Sequence, residues 1–207
     1  TMYRLRRALS IAQADDLAVA AAWGDADLSS LSEGHKFADP RNAELGSRVI
    51  APPAVIASIT SQPPEVYLEH RYKLGISDAA EIGSGDLFPH EACYDQFSSV
   101  DFSKGCYVGQ EVVSRMQHRG TARSRLVPID ATSALPAPGA KVMADDRQVG
   151  TLLGAQGSNG LALIRLDRAA KAARAGKALS VDGQPITMHK PAWARWADAA
   201  DTAGDED

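Results

Sequence analysis

The second half of the chain consists of short apolar runs that alternate with turn-forming segments. From residue 122 onward the apolar runs are RSRLVPI, AKVMA, QVGTLLGA, LALIRL, ALSV and PITMH. The segments between them, including LPAPG, GSNG and VDGQP, are rich in residues that favour turns. Five or six short strands at this spacing predict a small antiparallel barrel or sandwich, interrupted by one helix, DRAAKAARAG, that ends at Gly176.

Two segments of the first half have apolar residues at helical spacing. In PPEVYLEHRYKLG, a proline pair precedes the apolar positions and Gly75 follows them, as at the ends of many helices. In GQEVVSRM, the two valines and the methionine fall on one face of a short helix. We therefore predict one helix that ends near Gly75 and a second that begins after Gly109 and stops near Gly120.

The rest of the first half is punctuated by turn formers. Residues 1–24 start like the end of a helix and then predict a β-hairpin, with a strand near residues 9–11, a turn at Asp15 and Asp16 and a second strand in LAVAAAW. Residues 29–53 predict a loop, a short strand at a Val-Ile pair and another loop. The segment at 76–102 is long and interrupted by glycines and a proline, so we expect a functional loop or short helices within it.

These patterns divide the chain into three parts. We predict an α+β domain at residues 1–121, a β-rich domain at residues 122–196 and a disordered acidic tail at residues 197–207. The tail carries five carboxylates and no basic residue. Because the chain opens without an initiator methionine, we expect its start to be cut.

Composition restricts the class of protein. With 207 residues, 44% of them hydrophobic, the chain can bury one large core or two modest ones, as expected of a globular protein. Its apolar runs are all shorter than the roughly 20 residues of a membrane span, and no secretory signal is visible. The two cysteines are Cys93 and Cys106, so we expect free thiols, a reducing compartment such as the cytoplasm and no membrane partner.

The charge is distributed unevenly along the chain. The net charge is −4, and the five carboxylates of the tail exceed that value, so the rest of the chain is nearly neutral. Within residues 104–125, five basic side chains accompany one carboxylate, Glu111; they are Lys104, Arg115, Arg119, Arg123 and Arg125. This segment would attract an anionic ligand or, alternatively, form a solvated basic surface.

Cys106 is the sharpest chemical feature of the chain. It lies in KGCYVGQE, residues 104–111, close to Lys104 and just before the predicted helix. A nearby lysine and a helix N-terminus both stabilise a thiolate, and flanking glycines leave backbone N–H groups free. We therefore predict that Cys106 is a reactive thiol and that Lys104 activates it. An inert, buried cysteine is the structural alternative.

Metal binding is an alternative that the spacing does not favour. His90 and Cys93 have H-x-x-C spacing, and Cys106 with His118 would complete a zinc set, but this second pair is widely separated. An iron–sulfur cluster normally needs four thiolates, and the chain has two. We therefore assign no metal ligands, and any cluster chemistry would involve a partner.

Polar residues of the second predicted helix are candidate ligand contacts. Gln110 and Glu111 open this helix, where a carboxylate favours the helix dipole. An amide and a carboxylate can also bond the heterocyclic amide of a pterin ring. Arg115 and Arg119 lie four residues apart and would share a face that suits a carboxylate or phosphate, although exposed arginines also serve solubility.

Motifs of several enzyme classes are absent from the sequence. There is no G-x-S-x-G, no Walker loop and no H-E-x-x-H, and GSNG and IGSGD are wrongly flanked for dinucleotide loops. Spacing and periodicity alone thus leave a two-domain α+β protein with a candidate anion site.

The stretch KGCYVGQEVVSRMQHRGTARSRL resembles the signature of the YgfZ family, folate-binding proteins related to the glycine-cleavage T-protein. Its first eight residues fit the family's K-G-C-Y-x-G-Q-E, and the following arginines and glycine continue the match. Upstream, YRLR, ADPR and FPHEACYDQFSSVDF are also similar to family sequences. The resemblance covers nearly everything from Tyr3 to about Trp193. Cys93 lies outside the family pattern and is expected to be a packing residue.

The resemblance implies a truncated T-protein-like folate-binding α+β domain followed by a C-terminal antiparallel β-barrel. It implies tetrahydrofolate as the cofactor, and Cys106 matches the family's functional cysteine. The implied folate contacts are Tyr107, Gln110, Glu111, Arg115 and Arg119. It further implies iron–sulfur client or assembly proteins as partners, among them tRNA-modifying enzymes, and a location in the cytoplasm or, in a eukaryote, the mitochondrial matrix.

The resemblance also supplies the functional hypotheses. We predict a folate-dependent accessory factor for the assembly or repair of iron–sulfur clusters, with Cys106 as its thiol. Family members carry a further N-terminal segment that contributes much of the folate pocket, which we expect to be missing here. The alternative is an aminomethyltransferase-like transfer of a one-carbon unit to tetrahydrofolate. An RNA-binding module is a third class, but the interleaved aromatic residues that stack on bases are lacking, so direct nucleic-acid binding is not expected.

Overall fold

The structure is a computed structural model that describes residue 10 and residues 12–119 and 122–196. Residues 9 and 11 of the predicted first strand, the helix-like segment before it and the predicted acidic tail lie outside the described residues. The chain forms two compact units, one that ends at Pro63 and one that begins at Pro64. The domain boundary near residue 121 stays a prediction.

The first unit contains a three-stranded antiparallel sheet. Its strands are β1 (Ala18–Ala22), β2 (His35–Ala38) and β3 (Ser47–Ala51), and β3 lies in the middle. The turn predicted at Asp15 precedes β1, which pairs with β3. β2 lies where the sequence predicts a loop, and this prediction is wrong. β2 has no apolar run that would predict a strand, and it is formed by its antiparallel pairing with β3.

A buried carboxylate holds the turn between β2 and β3. Asp39 accepts bonds from Nε and Nη2 of Arg41 at 3.0 and 2.9 Å and from Nε of Arg48 at 2.9 Å. Burial alone would raise the pKa of Asp39, but the bonds from two arginines hold that pKa well below its ordinary value. α1 (Pro53–Ile59) packs on β1 and β3. Among the described residues of this unit, the buried apolar ones are Leu45, Val49 and Ala51.

The second unit begins with helices. α2 (Pro64–Lys73) and α4 (Gln110–Arg119) confirm the two helices predicted in the first half, and α3 (Ala79–Ile82) is a single turn in the long segment between them. Gly75 follows α2 with a φ of +72°, a conformation that L side chains rarely adopt. Within the described ranges, none of the helices combines the length and the apolar character that crossing a membrane requires.

Six strands then close into an antiparallel barrel. They are β4 (Ser124–Ala131), β5 (Lys141–Ala144), β6 (Arg147–Gln156), β7 (Asn159–Arg165), β8 (Leu179–Val181) and β9 (Gln184–Met188). Their order is β4-β7-β6-β5-β8-β9, and β9 pairs with β4. α5 (Leu166–Arg174) connects β7 to β8, as predicted. The β-rich half is therefore a barrel and not a sandwich.

Aliphatic side chains fill the core of the second unit. The main cluster includes Val142, Leu152 and Ile164, all fully buried, and α5 contributes Ala169 and Ala172. A second cluster lies beneath α2 and joins Tyr72 and Cys93 to the barrel through Leu126 and Leu161. Burial of this apolar area is what stabilises the barrel and holds the helices against it.

A buried ion pair joins α2 to α3. Arg71 donates from Nη1 and Nη2 to the two carboxylate oxygens of Glu81 at 2.8 and 2.9 Å, and the Tyr72 hydroxyl donates to Glu81 at 2.8 Å. Gly154 of β6 faces this network, and a Cβ at that position would overlap the Tyr72 phenol. Glycine therefore allows α2 to lie directly on the barrel strand.

Candidate functional site

The segment KGCYVGQE leads into α4 and exposes its thiol. Cys106 is free and exposed, and Val108, two residues later, is 94% exposed. Gly109 has a φ of +87°, a left-handed conformation that turns the chain into the helix. The Tyr107 N–H donates to Gln110 Oε1 at 3.4 Å, and the Gln110 N–H donates to the Tyr107 carbonyl at 3.2 Å. These reciprocal bonds fix the motif to the start of α4.

Lys104 contacts an aromatic ring of the same motif. Its Nζ lies 4.9 Å from the centroid of the Tyr107 ring, within cation–π range. The backbone N–H of Lys104 donates to Asp101 Oδ1 at 3.2 Å, and the same oxygen accepts bonds from the backbone N–H and the hydroxyl of Ser103. The bonds from Ser103 hold the pKa of Asp101 below its ordinary value. The structure thus brings Lys104 and Tyr107 together, while activation of Cys106 by Lys104 stays a prediction.

α4 presents its polar candidates on its exposed side. Glu111 and Arg115 are exposed and one turn apart, whereas Val113 is 6% exposed and packs inward. Gln110 is half-buried at the start of the helix. Arg119 ends the helix, and its side chain lies outside the described groups. An amide, a carboxylate and a guanidinium therefore follow the exposed thiol in the first turns of α4.

These residues fit part of the chemistry of a folate. Gln110 and Glu111 can exchange hydrogen bonds with the donors and acceptors of a pterin edge, and Arg115 suits a carboxylate of the glutamyl tail. All three are exposed or half-buried, so their polar groups are accessible to a ligand. Folate binding by this set stays a prediction.

Arg125 does not belong to the basic surface that the sequence predicts. It is 5% exposed, and its Nη1 and Nη2 donate to the two carboxylate oxygens of Asp95 at 2.5 and 3.0 Å. Its guanidinium also lies 4.9 Å from the centroid of the Trp196 ring. The positive charge available to an anion in residues 104–125 is therefore smaller than the count of basic residues indicates.

The sequence analysis does not predict the ion pair of Arg125, although the sequence contains one indication of it. Position 125 lies within an apolar strand, β4, where a charged side chain requires a buried partner. Asp95 lies in a turn-rich segment of ordinary composition, and nothing local identifies it as that partner. The pairing is therefore visible only in three dimensions.

The turn that contains His90 and Cys93 is docked on β4. The Leu126 N–H donates to the Glu91 carbonyl at 2.8 Å, and Arg125 Nη1 donates to the His90 carbonyl at 2.8 Å. Cys93 is 1% exposed, and its thiol donates to the Leu126 carbonyl at 3.5 Å. Burial raises the pKa of Cys93 to about 12, so this thiol stays protonated. Cys93 is thus a packing residue, as predicted.

The candidate zinc ligands are used in other ways. His90 Nε2 lies 3.1 Å from Gln117 Oε1, Cys93 is buried against β4, and Cys106 is exposed. Among residues 12–119 and 122–196, no group of three or more His, Cys, Asp or Glu side chains is arranged to hold a metal ion. His90 and Cys93 thus make structural contacts, whereas Cys106 and His118 are exposed.

Comparison with known proteins finds a family similar to the barrel region and relatives similar to most of the chain. Residues 123–196 match the family described as CAF17, C-terminal beta-barrel domain. The Mus musculus protein named iron-sulfur cluster assembly factor IBA57, mitochondrial, is 31% identical over 184 residues, covering 80% of this chain and 51% of that protein. Its Homo sapiens counterpart is 32% identical over 181 residues, covering 79% and 51%. A Chaetomium globosum IBA57 homolog is 36% identical over 121 residues, covering 52% and 28%.

The match to the mammalian relatives extends beyond the barrel. The chain spans about half the length of these curated relatives. A match over 80% of this chain is longer than residues 123–196 and therefore extends into the first half of the chain. Residues 123–196 are therefore similar to the C-terminal β-barrel domain of CAF17, and the chain is similar, over 80% of its own length, to a protein named an IBA57 iron–sulfur cluster assembly factor.

Proposed function

We propose that this protein is a folate-dependent accessory factor for the assembly or repair of iron–sulfur clusters in client enzymes. The observation that carries the proposal is the exposed Cys106 at the entry to α4, in a chain similar to proteins named iron–sulfur cluster assembly factors. Because the chain matches about half of those relatives, the activity is proposed for the whole protein to which this site belongs.

The contrast between the two thiols supports Cys106 as the working group. A cysteine acts as a nucleophile or a cluster ligand through its thiolate, and only where a partner can reach it. Cys106 is exposed, whereas Cys93 is buried and has its pKa raised by that burial to about 12. With two cysteines in the chain, a cluster that touched Cys106 would take its remaining ligands from a client or assembly protein.

The folate is proposed to lie beside this thiol. Gln110 and Glu111 would bind the pterin, Tyr107 would offer its ring, and Arg115 with Arg119 would bind the glutamyl carboxylates. Tetrahydrofolate, when bound, supplies a reduced pterin that can carry a one-carbon unit. The role of these residues is to bind and orient that group next to the exposed thiol.

The partners and the location follow from the same proposal. We propose iron–sulfur client or assembly proteins, including tRNA-modifying enzymes, as the partners, without direct binding to nucleic acid. The mammalian relatives are named as mitochondrial proteins. The proposed place of work is therefore the mitochondrial matrix in a eukaryote and the cytoplasm in a bacterium.

Replacement of the exposed thiol tests the proposal. In cells that lack their own copy of the gene, we expect Cys106→Ala to fail to restore the activity of cluster-dependent enzymes. Cys93→Ala is the matched control and should restore it, because Cys93 is buried away from any partner. Full restoration by Cys106→Ala would remove the thiol from the proposed function.

Two further measurements separate folate binding from folate chemistry. Calorimetry with tetrahydrofolate should show binding that Glu111→Gln and Arg115→Ala weaken. Incubation with tetrahydrofolate and an aminomethyl donor should yield no methylenetetrahydrofolate. Formation of that product would favour the aminomethyltransferase-like alternative over the accessory role.

A further inference from the structure

His90 is a buried histidine that touches the chain on both sides of the thiol motif. It is 2% exposed, and its ring centroid lies 6.1 Å from that of Phe102, which precedes Lys104 by two residues. Its Nε2 lies 3.1 Å from Oε1 of Gln117 on α4, which follows the motif. His90 therefore bridges the segments that enter and leave the region around Cys106.

The His90 ring uses one nitrogen for hydrogen bonding. Because the amide oxygen of Gln117 can only accept, Nε2 is the donor of this bond. Nδ1 is buried and has no hydrogen-bond partner among the described residues. A buried polar atom without a hydrogen-bond partner destabilises the folded state, and an apolar ring such as phenylalanine at this position would avoid that cost. The advantage of histidine at this position is therefore the bond from Nε2 to α4.

The backbone of His90 is fixed to the barrel. Its carbonyl accepts a bond from Arg125 Nη1 at 2.8 Å, and Arg125 is itself held by two bonds to Asp95. The bond from the Leu126 N–H to the Glu91 carbonyl attaches the same turn to β4. The position of the turn is thus fixed by its hydrogen bonds to β4. The His90 ring extends from this turn and bonds to α4.

α4 itself is held by little apolar burial. Of its described side chains, only that of Val113 is buried. Val112 and Met116 are half-buried. Most helical stability in proteins comes from packing of an apolar face, so a helix with this little full burial depends more on its other contacts. A hydrogen bond from an element fixed to the barrel then has a large share in setting the orientation of α4.

We propose that His90 is a positioning residue, which transmits the fixed geometry of β4 to α4 and so sets where the thiol of Cys106 is presented. The importance of His90 for activity rests on the proposed function, because the position of Cys106 affects activity only if its thiol takes part in that function. The positioning itself is a property of this chain and can be measured without a client enzyme.

A nitroxide spin label on Cys106 reports this positioning. The label reacts with Cys106 because the other cysteine, Cys93, is buried. We expect His90→Phe to increase the mobility of the label and to lower the hydrogen-exchange protection of α4 amides about five-fold, the effect of one lost hydrogen bond. Amides of β6 and β7 should keep their protection. His90→Gln, which retains a side-chain N–H donor, should restore both signals.

Two further variants complete the test. His118→Phe makes the same change at an exposed position of α4 and should leave both signals as in the wild type. Gln117→Ala removes the acceptor of the bond at an exposed position, and it should mobilise the label even where His90→Phe fails to fold.

Unchanged label mobility in both His90→Phe and Gln117→Ala would overturn the proposal. So would an equal loss of protection in β6, β7 and α4, since His90 would then be a core residue of the whole unit. These results are independent of the cell-based test of Cys106→Ala. If the cell-based test contradicts the proposed function, the spin-label result for His90 still stands. If the spin-label result contradicts the positioning role of His90, the proposed function still stands.

Discussion

Arg125 and Asp95 form a bidentate ion pair inside the second unit, with Nη1–Oδ1 and Nη2–Oδ2 separations of 2.5 and 3.0 Å. Their side chains are 7% and 6% exposed, so neither charge has water as an alternative partner. The same guanidinium donates to the His90 carbonyl. The pair therefore holds the turn that lies between the barrel and the thiol-bearing segment.

Removal of the carboxylate from this pair should be strongly destabilising. Asp95→Asn leaves the buried charge of Arg125 without a counter-charge, and we expect a loss of about 3 kcal/mol in the free energy of unfolding. Denaturant titration measures it. Arg165→Gln is the matched control, because it breaks an ion pair with Asp167 whose side chains are 33% and 48% exposed, and should cost less than about 1 kcal/mol. Equal losses would contradict the buried pair.

Gly154 should not tolerate a side chain. In Gly154→Ala the new Cβ would overlap the phenol of Tyr72 and press on Glu81, and we expect a loss of about 2 kcal/mol. Gly105→Ala is the control, since no described atom lies within 4 Å of a Cβ there, and it should change stability by less than about 0.5 kcal/mol. Thermal unfolding compares the two. A Gly154→Ala protein as stable as the control would mean that α2 does not lie on β6 as described.

The buried thiol of Cys93 should reduce stability in alkaline solution. Its ordinary pKa is 9.0, which applies to the unfolded chain, and burial raises the pKa to about 12 in the folded protein. Between these values the folded state holds the proton and the unfolded state releases it. The stabilising contribution is therefore complete below about pH 9 and is lost as the pH rises towards about 12, with a slope of at most about 1.4 kcal/mol per pH unit.

Urea unfolding over this alkaline range measures the effect. Tyr72 should act in the same direction, because burial and its bond to Glu81 raise the pKa of its hydroxyl. Cys93→Ala should have a shallower decline of stability than the wild type, and the remaining slope should fall further in Cys93→Ala combined with Tyr72→Phe. Identical slopes in all three proteins would contradict the raised pKa values of both the Cys93 thiol and the Tyr72 hydroxyl.

Thiol modification should separate the cysteines into two classes. In the native protein a disulfide reagent should react quickly with Cys106, which is exposed, and with Cys93 only after denaturation, since it is 1% exposed. Cys106→Ala should abolish the fast phase and leave the slow one. Two fast thiols in the native wild-type protein would contradict the burial of Cys93.

The barrel is the part of the fold that the sequence predicts best. Each of its strands coincides with a short apolar run bounded by turn formers, so a local pattern is sufficient to identify it. β2 has no such run, because all four of its residues are exposed and its partner β3 supplies the pairing. A strand that depends on its neighbour in this way has no local signal to read.

The candidate site is predictable only where it is contiguous. The placement of Cys106 before α4 follows from glycines and helix signals within a few residues of each other. His90 and Arg125 find their partners, Gln117 and Asp95, 27 and 30 residues away along the chain. Pairing at such separations depends on tertiary packing. From the sequence alone, His90 is only an unfavoured candidate for zinc binding, and Arg125 is counted with a basic surface.

The central claim is that the thiol of Cys106 serves iron–sulfur cluster assembly. The most direct measurement is the activity and iron content of a cluster-dependent enzyme purified from cells that express only the wild-type, Cys106→Ala or Cys93→Ala protein. We predict low activity and low iron content with Cys106→Ala alone, and an unaffected cluster-independent enzyme in all three strains. Equal activity and iron content in the Cys106→Ala and wild-type strains would contradict the claim.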